Sequence, residues 1–102
     1  MVLEYYDKDK LATRIVADEE TRELQIENFT DNIFSRAFGR NEEPTWKEFM
    51  EFLERRCFPR SRNRMDICLK ELGLTEYNPL AICKKTEGRM AEDSCHIRFV
   101  EE

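Results

Sequence analysis

Three observations predict an α+β fold. Apolar residues alternate through the first 28 positions, take helical spacing from residue 46 to 83, and return to alternation after residue 95. The expected architecture is a small antiparallel sheet of three N-terminal strands plus the C-terminal strand, with two or three helices packed on one face. At 102 residues the chain is one domain, 1–102, since a second core would not fit.

The first strand is the aromatic run Leu3-Glu4-Tyr5-Tyr6, closed by the polar turn Asp7-Lys8-Asp9-Lys10. In the second, Leu11, Thr13 and Ile15 alternate with Ala12, Arg14 and Val16. After the turn Asp18-Glu19-Glu20-Thr21, Leu24, Ile26 and Asn28 alternate with Glu23, Gln25 and Glu27. Such a meander leaves one face needing cover. Between residues 28 and 44, the apolar Ile33, Phe34 and Phe38 suggest a short helical turn from Asp31 to Ala37, followed by a loop.

Thr45-Trp46-Lys47-Glu48 is a capping box, and Trp46, Phe49, Met50 and Leu53 share one helix face. Arg55 and Arg56 fall in the last turn, where cations suit the helix dipole. Ser61 is the expected N-cap of a second helix carrying Met65, Cys68, Leu69 and Leu72, with Gly73 as its C′ residue. Asn78-Pro79 opens a third that bears Leu80, Ile82 and Cys83 and ends near Gly88. Cys95, Ile97 and Phe99 alternate with His96, Arg98 and Val100 in the closing strand, which joins the N-terminal sheet to pair its backbone.

Composition narrows the function classes. The N-terminus lacks the basic and apolar regions of a signal peptide, and no apolar run reaches the roughly 18 residues of a membrane span. A cytoplasmic protein with no membrane association is expected. Cys57, Cys68, Cys83 and Cys95 contain no C-x-x-C pair, so reduced, buried thiols are expected in place of zinc or disulfides, and no cofactor is implied. The net charge is −5, and residues 1–54 hold fourteen acids against seven bases. An acidic chain is a poor generic binder of nucleic acid, because phosphate neutralisation supplies most non-specific affinity.

Positive charge is local. Arg55, Arg56, Arg60, Arg62 and Arg64 crowd one helix end, a proline-containing connection and the start of the next helix, with no acid among residues 55–65. Arginine favours bidentate contact with phosphate or carboxylate. The run reads as a partner- or anion-binding corner, or as cations that pair with the acids of residues 1–54. A second cluster joins Arg89, Asp93 and the lone His96. It could in principle do acid–base work, yet no nucleophile is recognisably placed against it, and an enzyme is not expected. Residues 62–86 also allow a helix-turn-helix, but its second helix offers DNA only Lys84 and Lys85.

The strings PTWKEFMEFLERRCFPR, LGL, YNPL, GRMAED and IRF, within residues 38–99, resemble a family of short uncharacterised proteins from anaerobic gut bacteria. Members are often encoded beside genes for HipA-like kinases, a toxin class. Where the family pattern has an aromatic before I-R-F, this chain has Cys95-His96. The resemblance implies an antitoxin or accessory role. Two functions are therefore expected as alternatives. One is a non-enzymatic protein-binding module, a toxin–antitoxin accessory or an anti-CRISPR-like inhibitor from a mobile element, whose partner is a HipA-like kinase or a nuclease effector. The other is a nucleic-acid- or phosphate-binding regulator that uses the Arg55–Arg64 corner.

Overall fold

The computed structural model describes residues 1–57, 63–90 and 93–101. Four strands and three helices follow in the order β1 (Val2–Asp7), β2 (Lys10–Asp18), β3 (Glu23–Asn28), α1 (Trp46–Arg55), α2 (Met65–Glu71), α3 (Pro79–Thr86) and β4 (Cys95–Glu101). The strands form one antiparallel sheet in the order β3-β2-β1-β4, so the last strand returns beside the first. This is the predicted α+β architecture.

Register divides the sheet into two faces. Leu3, Tyr5, Ile15, Ala17 and Ile97 point to the helices and are buried with Phe49, Phe52, Leu53, Ile82 and Cys83. Thr13 lies on this face, fully buried yet satisfied: its hydroxyl donates to Asn28 Oδ1 (2.9 Å) and accepts from the Ala37 N–H (3.1 Å). On the other face Glu27, Arg14, Glu4 and Arg98 stand side by side across the four strands, alternating in sign. Opposite charges on facing positions stabilise a sheet. Val16 and Val100 flank this row, 43% and 50% exposed.

Helix α1 begins as its sequence dictates: Thr45 Oγ1 accepts from the Glu48 N–H, and Glu48 accepts from the Thr45 N–H. Its buried stripe is Phe49, Phe52, Leu53 and Arg56, at i, i+3, i+4 and i+7, rotated from the stripe expected, with Trp46 and Met50 half-buried at its margin. Helix α2 ends in a Schellman motif, with Gly73 at φ +75° and the Gly73 and Leu74 amides bonded to Lys70 and Leu69 carbonyls.

Two local expectations need correction. Residues 31–37 form successive turns, not a helical turn. Thr30 Oγ1 accepts from the Asn32 N–H and Asn32 Oδ1 from the Phe34 N–H, and such local bonds compete with helix formation. The second helix starts at Met65 behind Arg64, whose φ of 59° is left-handed and whose side chain makes no cap bond. The predicted N-cap, Ser61, lies outside the described residues, as do Arg60 and Arg62.

Candidate functional site

The three described arginines of the run differ in their surroundings. Arg55 and Arg64 are exposed, but Arg56 is 6% exposed and lies on the core side of α1. Its guanidinium makes four hydrogen bonds. Nε donates to the Gly88 carbonyl (3.0 Å), Nη1 and Nη2 to the two oxygens of Asp93 (2.8 and 3.0 Å), and Nη2 also to the Cys95 carbonyl (3.0 Å). The Tyr5 ring lies beneath it, 5.6 Å from Cζ. A planar fork with five N–H donors suits this setting as an ammonium would not. Burial opposes the charge on Arg56, but the hydrogen bond to Asp93 and the charge interactions with Tyr5, Asp93 and Cys95 together outweigh it and raise the arginine's pKa. That same bond holds the Asp93 carboxyl below its ordinary range.

The second cluster is dispersed. Asp93 is engaged by Arg56, whereas Arg89 pairs with Glu87 at the exposed surface (3.3 Å). His96 lies on the face away from the helices, stacked on Tyr6 with ring centroids 4.9 Å apart. Asp93 and His96 therefore do not converge on a common cleft. The buried thiol of Cys83 has its pKa pushed up by a hydrogen bond with Cys57 and by burial, the opposite of what a nucleophile needs.

Arg56 instead belongs to the treatment of a sheet edge. The Lys8 N–H donates to the Ser94 carbonyl, and antiparallel alternation then turns the backbone groups of Cys95 and Ile97 away from β1. Three of these four groups find a partner among the described residues. Arg56 takes the Cys95 carbonyl, the Cys95 N–H bonds to Asp93 Oδ1 (3.0 Å), and the Ile97 N–H to the Glu87 carbonyl (2.6 Å). Glu87 presents that carbonyl from a left-handed cap at φ 58°, followed by Gly88 at φ +61°. A Cβ on Gly88 would fall 2.8 Å from Ile97 Cδ1, so only glycine lets α3 close on β4 here.

The opposite edge is left open. The Phe29 N–H bonds to the Ala12 carbonyl, which by the same alternation turns the N–H and C=O of Leu24 and Ile26 outward. Among the described residues no hydrogen bond reaches them. Beside them a groove of about 480 Å³ is lined by Leu24, Gln25, Ile26, Glu42, Glu43 and Pro44. Glu23, Glu27, Glu42 and Glu43 are all exposed, and no ion pair engages them among the described residues. Arg14 faces Glu27 in register but turns its guanidinium to Glu4, at 2.9 Å.

Sequence reasoning missed both edges. The helical spacing of Arg56 from Phe49 and Phe52 could have shown it facing the core. Nothing in the strand pattern of residues 23–28 says which strand lies outermost. No family model, curated protein or solved structure matches the chain.

Proposed function

We propose that the chain is a non-enzymatic protein-binding module, an antitoxin-like or inhibitory partner of a larger bacterial protein. A HipA-like kinase or an anti-CRISPR-type nuclease target suits it, because each must bind an anionic substrate through a basic surface. The observation that carries this reading is the unbonded β3 edge with its exposed glutamates, set against an Arg56 that is consumed within the fold. Acidic side chains without internal partners favour a cationic protein surface and steer its approach. Co-expression of the full chain with such a kinase or nuclease should give an equimolar complex in which the partner's activity falls. A partner that remains active and elutes separately refutes the reading.

A second reading rests on Arg55 and Arg64, both exposed. With Arg60 and Arg62 they would form a corner that holds a nucleic-acid backbone or phosphate. Here binding to DNA or RNA should fall steeply with salt and vanish in the Arg60→Glu, Arg62→Glu variant.

A further inference from the structure

We infer that β3 takes up an extended, basic segment of a partner protein as a fifth strand of the sheet, an inference that rests on the protein-binding reading above. Three features point to one occupant. The outward N–H and C=O groups of Leu24 and Ile26 are a template for main-chain pairing, the means by which strand addition gains affinity. The groove beside them continues the helix-side face, where the half-buried Leu24 and Ile26 side chains and Pro44 meet an incoming strand. Charge then selects its composition. Glu23 and Glu27 flank the strand on the open face, and Glu42 and Glu43 rim the groove on the other. A strand with lysine or arginine at alternate positions would place cations against Glu23 and Glu27 and apolar side chains beside Leu24 and Ile26.

The same charges argue against a second copy of this chain. Antiparallel β3–β3 pairing centred on Gln25 would set Glu23 of each copy opposite Glu27 of the other. Like charges directly opposite destabilise a sheet. Nucleic acid is repelled by the same row.

The test uses the full chain and a synthetic peptide of alternating lysine and valine, with an alternating glutamate–valine peptide as control. On adding the basic peptide, the Leu24 and Ile26 amides should gain protection from hydrogen exchange, and binding should weaken as salt rises. Glu23→Lys with Glu27→Lys should weaken binding about tenfold. N-methylation of the peptide's pairing amides should abolish it, which separates main-chain pairing from charge attraction alone. Protection that appears elsewhere, equal binding of the acidic peptide, indifference to N-methylation or a concentration-dependent dimer through β3 would each overturn the inference. Partner inhibition that survives Glu23→Lys with Glu27→Lys would also reject the edge while leaving the protein-binding role intact.

Discussion

The two outer strands of this sheet meet the same problem in opposite ways. Both β3 and β4 turn backbone groups outward with no further strand to receive them. At β4 the fold supplies its own partners: a guanidinium from the C-cap of α1, a carboxylate at residue 93 and a carbonyl from the end of α3. At β3 it supplies none among the described residues, and surrounds the strand with carboxylates. A buried cation closes one edge, and exposed anions guard the other. An edge left open needs charge to stay soluble, and the sign of that charge limits what can join it.

Removing the buried cation should break this contrast most severely. Arg56→Ala strands the Asp93 carboxylate and the Gly88 and Cys95 carbonyls beside an empty space. The expected loss is about 3 kcal/mol, since one member of a largely buried ion pair disappears, tempered by the partial exposure of Asp93. Urea unfolding reads the loss. Hydrogen exchange at Ile97 should quicken towards the rate at Ile26, making the two edges alike. A variant of unchanged stability would mean that the bonds to Arg56 do not close the edge.

Gly88→Ala acts on the same edge through shape. The added methyl meets Ile97 side-chain atoms at 2.8 and 3.0 Å, on a backbone conformation that L side chains rarely adopt. A loss of about 2 kcal/mol is expected in the same unfolding measurement, from strain and overpacking together.

The smallest effect is a dependence on pH. Because Arg56 holds the Asp93 carboxyl below its unfolded value of about 3.9, the ionised form favours the folded state. Its contribution is complete above that value and is lost as pH falls through the lower folded value. Asp93→Asn should therefore unfold more easily than the parent at pH 7, and the two melting temperatures should converge below about pH 4. Parallel curves across that range would show that the carboxylate is not coupled to folding.

How much of this could be read beforehand follows from the range of each interaction. The strands, the Thr45–Glu48 capping box and the Gly73 terminator depend on residues within a few positions, and the pattern of the chain shows them directly. Residues 31–37 misled because Phe34 and Phe38 stand four apart, as on one helix face, while Thr30 and Asn32 bond the local amides first. Arg56 misled for another reason. A cation in a run of cations reads as surface, and its partners lie 32 to 39 residues away. Its place on the stripe with Phe49, Phe52 and Leu53 was the available clue. The acidity of residues 1–54 was plain from composition, but where it gathers depends on β3 lying outermost, a product of how β4 returns beside β1.

That return orders events in time. When α1 leaves the ribosome, none of the groups that Arg56 will bond has yet been synthesised. The β1–β2–β3 meander rests on short turns and can pair at once, with β1 still lacking its second neighbour. Only after residues 88, 93 and 95 follow can the guanidinium leave water for its buried place. The final closure joins segments more than thirty residues apart, a step whose entropic cost rises only slowly with loop length but comes before its reward. Until then the nascent chain carries two open edges, and the acidic one is the edge already able to repel its copies.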